Sequence, residues 1–328
     1  MEQKAIADII NEAIGDDNDR LPKGFSLLDA VGAKSEGMRF ADGAEDGIWL
    51  YHTVHQEPDI ETKYAIADAL SAASVKDFKQ ADSLFEKLGK DHRAIALSSA
   101  VHDILLQNKD TLDNSAIYDY AVHMMLQSPD VESVKFGLIM IELFDYSDNE
   151  NLKHLIRLLG LADEFTLFVV YNMKGSWEDD NEEVFELAKR VHGWGRVHAV
   201  EHLDPDTDEI REWLLTEGVH NDVIPAYSAL LCWEGAQAAK RLQGPLNHRE
   251  FEGVRDIIAG LLDEGPCEGI SAAEDIDAGV REFLTKARSF RLGPDDYDVI
   301  NSLKDYYQGK GRPGEFIVRL ADELIKEM

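Results

Sequence analysis

Cysteine, positive charge and long apolar runs are all scarce in this chain. Only Cys232 and Cys267 occur in 328 residues, 35 positions apart and in no paired motif. That excludes a disulfide framework and suits a reducing compartment, so a cytoplasmic protein is expected. Basic residues number 33 against 64 acidic ones, a net charge of −31. An excess of this size repels phosphate backbones and anionic lipid surfaces, which argues against nucleic acid and membranes as partners. No block of the sequence has a basic majority that would reverse this. No apolar stretch approaches the ~20 residues of a membrane span, and runs such as 167–171 and 227–233 are the size of core-helix segments. Residues 1–14 alternate charged and apolar positions like an amphipathic helix, without the basic-then-apolar order of a secretory signal.

What the chain does contain is a recurring apolar motif at i, i+3, i+4 and i+7. It appears at Ala81, Leu84, Phe85 and Leu88, then at Tyr118, Ala121, Val122 and Met125. It returns at Leu152, Leu155, Ile156 and Leu159, at Val184, Leu187, Ala188 and Val191, and at Val254, Ile257, Ile258 and Leu261. The first four starts lie 37, 34 and 32 residues apart. A period in the thirties with helical spacing inside it is the signature of stacked helix pairs. Two helix types alternate. Residues 131–144 and 165–173 are apolar on nearly every side, whereas 152–159 and 184–191 carry one stripe. A helix apolar all round is buried between neighbours and a striped one faces water, as two stacked layers require. Gly89, Gly160, Gly193 and Gly218 each follow a periodic run, where a left-handed cap favours glycine.

The first 60 residues read differently. A helix over 2–14 leads into the turn-rich segment 15–19. Met38-Arg39-Phe40 and Ile48-Trp49-Leu50-Tyr51 flank two Asp-Gly steps and read as a β-hairpin capping the first helices. Gly244-Pro245 and Gly265-Pro266 break the later part, after which 272–289, 295–307 and 314–327 read as three further helices. The expected architecture is all-α: a right-handed α-solenoid of HEAT-like helix pairs with a small N-terminal β-hairpin cap. Its parts are a cap at 1–60, repeats at 61–265 and a C-terminal helical cap at 266–328.

Residues 128–235 contain VKFGLIMIELF, LGLADEFTLF, VFELAKRVHGWGRVHAVEHLDP, EIREWLL and AYSALLCWEGA, and RFADGAEDGIWLYH stands nearer the start. Together these segments resemble an uncharacterised bacterial family of HEAT-type helical-repeat proteins, some members of which carry a transferred limonene hydroxylase label. The resemblance covers about two-fifths of the chain. It implies a helical-repeat fold and brings no catalytic residues with it, and nothing in the quoted residues supports a hydroxylase. The family has a basic residue where this chain has His202, so no site at that position carries over.

The sharpest chemical motif is His198-Ala199-Val200-Glu201-His202, which matches the inverted zinc-peptidase spacing. Zinc chemistry needs two imidazoles one helical turn apart and a carboxylate to activate water. His198 and His202 are the candidate metal ligands and Glu201 the candidate catalytic base. Val197, Val200 and Leu203 lie on the opposite face, so the polar trio points away from the apolar stripe. A third ligand would come from far downstream, with Glu274 and Glu282 among many carboxylates. A solvated polar face is the commoner origin of such a pattern and outweighs the zinc reading. Gly309–Gly314 spells G-x-G-x-x-G, but a helix precedes it where a dinucleotide site needs a strand, so an interhelical loop is expected. Asp42–Gly47 hints at a calcium loop, yet Ala44 and Thr53 stand where ligands belong. His52 and His55 have no nameable partners. Trp194, Trp213 and Trp233 fall once per repeat and read as core packing before groove lining. No cofactor motif is present.

The expectation is therefore a non-catalytic helical-repeat binding or scaffold protein that recognises a protein partner through its curved surface. That partner is cationic, since an acidic field attracts positive charge. The alternative is a metal-dependent enzyme, hydrolase or oxygenase, built around His198, Glu201 and His202.

Overall fold

The computed structural model describes residues 4–14, 19–32, 40–265 and 267–327. Among them every regular element is an α-helix, nineteen in all, and no strand is present. The chain divides into two compact units, Met1–His202 and Leu203–Met328. The first unit holds α1 (Ile6–Ile14), α2 (Leu27–Ala30), α3 (Ala44–His52), α4 (Ile60–Ser74), α5 (Phe78–Asp91) and α6 (Ala94–Gln107). It continues with α7 (Asn114–Gln127), α8 (Val131–Ile141), α9 (Glu150–Gly160), α10 (Asp163–Ser176), α11 (Asp180–Arg190) and α12 (Gly193–Glu201). The second unit holds α13 (Asp208–Thr216), α14 (Ala226–Gly235), α15 (Ala238–Arg241), α16 (His248–Leu262), α17 (Ile276–Ala287), α18 (Pro294–Tyr307) and α19 (Gly311–Glu327).

In the first unit the even-numbered helices form a ladder: α4 packs on α6, α6 on α8, α8 on α10 and α10 on α12. Odd-numbered helices flank it, α5 against α4, α7 against α8, α9 against α10 and α11 against α12. The sequence accounts for the division. Every residue of α8 from Ser133 to Ile141 is buried, because a helix with neighbours on several sides must be apolar nearly all round. α9 buries only Leu152, Leu155, Ile156, Leu159 and Gly160. α11 buries only Val184, Phe185, Leu187 and Ala188, and turns its charged face to water. In α7 the buried stripe runs through Ile117, Tyr120, Ala121 and Met124, so the motif read from Tyr118 starts one residue late. Asn172 of α10 ties the layers together. Its amide donates to the Leu138 and Phe168 carbonyls, and its oxygen accepts from the Tyr146 hydroxyl.

No β-hairpin is present among the described residues, contrary to expectation. Ile48, Trp49, Leu50 and Tyr51, read as its second strand, lie in α3. Met38 and Arg39 of the first strand lie outside the described residues, and Phe40 is in no strand. Gly43 takes a left-handed backbone (φ 76°) just before the helix, and Glu45 and Asp46 occupy the first turn, where the helix dipole favours acidic groups. Aromatic and branched side chains fit a half-buried surface of either kind, so tertiary contacts decide between strand and helix. The segment 15–18 and Pro266 also lie outside the described residues. The helix expected from residue 2 is observed from Ile6.

Of the four glycines read as helix ends, only Gly193 has a left-handed backbone, and it opens α12. Gly89 and Gly160 lie within α5 and α9, where a Cβ would come within 2.7 Å of Glu132 and 2.8 Å of Val169. Close helix packing requires glycine there. In the second unit α13, α14, α17 and α18 all pack on α16, and α19 packs on α17 and α18. Val254, Ile257, Ile258 and Leu261 of α16 are fully buried. Trp233 is also buried and donates its indole N–H to the Glu274 carbonyl (2.9 Å). Of the stretch expected as an interhelical loop, only Gly309 and Lys310 lie between α18 and α19, and Gly311–Gly314 form the first turn of α19.

Gly253 of α16 faces α13. A Cβ there would fall on the Leu215 carbonyl oxygen and within 2.9 Å of Thr216 Cα. Gly253→Ala is expected to lower the unfolding free energy by about 1–3 kcal/mol through overpacking, even though alanine is the better helix former by ~1 kcal/mol. Urea unfolding followed by circular dichroism reads the loss, and an unchanged or raised midpoint would contradict this packing.

Candidate functional site

Several helices of the first unit begin without a side-chain cap of their own, among them α3 at Gly43, α6 at Arg93 and α12 at His192. Unmet amide groups at a helix start need acceptors, and here neighbouring helices supply carboxylates. Glu132 of α8 accepts from Ala94 N (2.6 Å), and Glu164 of α10 accepts from Gly43 N (2.9 Å). Asp163 of α10 accepts from the Trp194 and Gly195 amides. Part of the acidic surplus is thus structural.

The same carboxylates surround Lys135, which has no solvent exposure. Its Nζ donates to Asp46 Oδ2 (2.6 Å), Glu164 Oε2 (2.7 Å) and Glu132 Oε1 (3.1 Å). Arg93 donates to Asp46 Oδ1 (3.2 Å) and pairs with Glu45. Two cations therefore face four carboxylates, Glu45, Asp46, Glu132 and Glu164. The surrounding carboxylates hold Lys135 well above its ordinary range against its burial. Among the carboxyls the shifts diverge, as expected when coupled groups share protons. Burial pushes Asp46 up to about 7, while Lys135 and the Gly43 amide keep Glu164 below its usual value. A cavity of about 460 Å³ opens beside this network, lined by Glu45, Glu86, Lys90, Arg93, Asp130 and Glu132 among others.

His198, Glu201 and His202 all lie at or beside the end of α12, but they do not form the solvated face that the sequence suggests. His198 is fully buried beneath α3. Its Nδ1 lies 3.1 Å from the Tyr51 hydroxyl, which also donates to Glu201. Its Nε2 has no hydrogen-bond partner of normal geometry among the described residues. Burial, with His202 nearby, pushes its imidazole down to about 3. His202 donates from Nδ1 to the His198 carbonyl (2.9 Å), and burial lowers its imidazole too. Desolvation raises Glu201 to about 7, although its side chain keeps an exposed flank that screens part of the effect. Among the described residues no three His, Cys, Asp or Glu side chains converge in a geometry that could hold a metal ion.

These groups continue a row that crosses the ladder. His102 of α6 lies 3.5 Å from Glu142, the residue that closes α8. Burial pushes Glu142 up to about 8. Tyr171 of α10 is raised by burial and by Glu142, and its ring meets His202 edge-on at 5.3 Å between centroids. One titratable side chain from each successive ladder helix thus meets the next. The arrangement can store and exchange protons near neutrality and can present carboxyls to a cation.

The other sequence candidates fall elsewhere. Asp42 caps α2 through Leu27 N and accepts from Ser26, and Asp46 serves Lys135, so the suspected calcium loop spends its carboxylates internally. His55 stacks on Trp49 at 4.0 Å. Trp194 and Trp233 are buried, and Trp213 is half-buried. Sequence reading missed Lys135, Glu164 and Arg93, and took Asp46 only as part of the suspected calcium loop. One signal was available: a lone lysine inside the otherwise apolar stretch VKFGLIMI must find buried anions. No protein-family model, curated protein or solved structure matches the chain.

The raised carboxyls fix the sign of a pH effect. Asp46, Glu142 and Glu201 hold protons more tightly folded than unfolded, so their contribution to stability is complete below about pH 4. It is lost as pH rises through 7 to 8. Glu142→Gln keeps a neutral group there. Its stability relative to the unmodified chain is expected to improve as pH rises from about 5 to 8 and to level off above that in urea unfolding, whereas a difference independent of pH would contradict the assignment.

Proposed function

We propose that the chain is a non-catalytic helical-repeat binding protein, a right-handed α-solenoid of HEAT-like pairs that recognises a protein partner. The observation that carries this reading is the ladder from α4 to α12, in which each even helix packs on the next and α4, α8, α10 and α12 each have a flanking odd helix. Stacked pairs of this kind build long surfaces suited to recognition. The resemblance to HEAT-type repeat proteins supports the same conclusion. The partner is cationic, because the chain carries a net charge of −31 and the cavity beside Lys135 is rimmed mainly by carboxylates. Such a field speeds encounter with positive surfaces and repels nucleic acid and anionic lipid. The setting is cytoplasmic, in keeping with two unpaired cysteines. Among the described residues no helix is long and apolar enough to cross a membrane.

The enzyme alternative rests on His198, Glu201 and His202. The burial of His198 beneath α3 keeps it from substrate or metal in this conformation, so binding is the better-supported reading. Elemental analysis separates the two. Zinc and iron well below one atom per chain are expected, whereas stoichiometric metal lost in His198→Ala would favour the enzyme.

Capture on the purified chain from its native cytoplasm, read by mass spectrometry, is expected to retain a protein with a basic surface. Glu86→Lys, at the rim of the cavity, is expected to slow its association several-fold, and the effect should fade as salt screens the charge. No reproducible partner, or association indifferent to salt and to Glu86→Lys, would contradict the proposal.

A further inference from the structure

α3 is seated unlike the helices around it. Its fully buried residues are Ala44, Asp46 and Gly47, whereas Ile48, Trp49, Leu50 and Tyr51 are only half-buried. Much of what holds it is polar: Asp46 on Lys135 and Arg93, Glu45 on Arg93, and Tyr51 on His198 and Glu201, with Tyr51 also stacked on Trp194. Ion pairs withdrawn from water contribute little net free energy once desolvation is counted. A nine-residue helix is marginal without packing. The chain on either side is suited to pivoting. Gly43 has a left-handed backbone at the front. Behind, residues 53–59 have no regular structure and are exposed at nearly every position. His55 folds back on Trp49, which places the pivot at 56–59. Beneath α3 lies His198, without solvent exposure, its imidazole also drawn to the Gly43 backbone at the start of that helix. Its Nδ1 faces Tyr51 of α3 itself.

We propose that α3 is a strap that lifts off the ladder as a unit while α4–α12 stay folded, and that its opening admits solvent and ligands to His198. Elements with little buried apolar surface are the ones that open locally, at a free energy below that of global unfolding. Closed, the strap keeps His198 inaccessible. Open, it presents that trio on one turn of α12 together with the carboxylates of Glu132 and Glu164. This inference stands apart from the identity of any partner.

Hydrogen exchange of the full chain, read by mass spectrometry, tests it, with peptide-mapped acylation of His198 by diethyl pyrocarbonate. Amides of α3 are expected to exchange about tenfold or more faster than those of α8 and α10. Gly47→Ala is the decisive variant. Its Cβ would come within 2.6 Å of the Trp194 ring, while alanine favours the helix itself, so it unseats α3 without unwinding it. His198 acylation is expected to rise about tenfold in this variant, with α8 and α10 still protected. Tyr51→Phe removes only the hydroxyl contacts and is expected to give the same pattern at smaller amplitude. Equal exchange in α3, α8 and α10, or loss of protection throughout the unit in Gly47→Ala, would overturn the proposal. So would His198 reactivity unchanged by Tyr51→Phe.

Discussion

A lysine with no access to water, set in an apolar helix, constrains everything near it. Removing an ammonium group from solvent costs several kcal/mol, and the group stays charged only if anions are brought to it. Lys135 draws them from three elements: Asp46 from α3, Glu132 from its own helix and Glu164 from α10. The second oxygens of Glu132 and Glu164 then meet the starts of α6 and α3, helices whose own sequences supply no side-chain cap. One buried charge therefore ties together the ladder helices, the seat of α3 and the protonation of the carboxyls between them.

That arrangement explains which parts of the molecule could be read from sequence. The ladder was legible because burial imposes a period of 3.6 on α9, α11 and α16 and removes it from α8 and α10. α3 was not legible, since Ile48, Trp49, Leu50 and Tyr51 suit a strand as well as a half-buried helix. What fixes them as helix is Asp46 finding Lys135 across 89 positions of sequence, which no local pattern reports. The zinc-like trio misled for the same reason. Helical geometry puts His198 opposite the valines, but not in water, because a helix from 147 positions earlier covers it. Of the network only Lys135 left a local signal, a charge inside an apolar run, and that signal was overlooked.

The acidic excess has two origins on this account. Some carboxylates stand in for missing helix caps and neutralise Lys135 and Arg93. Others, such as Glu86 and Asp130 beside the cavity, face outward and shape the field that a partner meets. Glu142 and Glu201 lie between these cases, desolvated by the ladder with no lysine or arginine placed to hold them ionised. α3 joins the two sets, since Glu45 and Asp46 close the ionic network and Glu45 also lines the cavity.

Unfolding of Lys135→Met in urea at pH 8, compared with pH 6, tests the role of the buried lysine most directly. Removing one partner of a buried pair strands the other, so a loss of about 3–5 kcal/mol is expected at pH 8. At pH 6 the loss should be smaller, because Asp46 and its neighbours can take up protons in place of the lost cation. A loss below about 1 kcal/mol at both pH values would show that the fold does not depend on this charge.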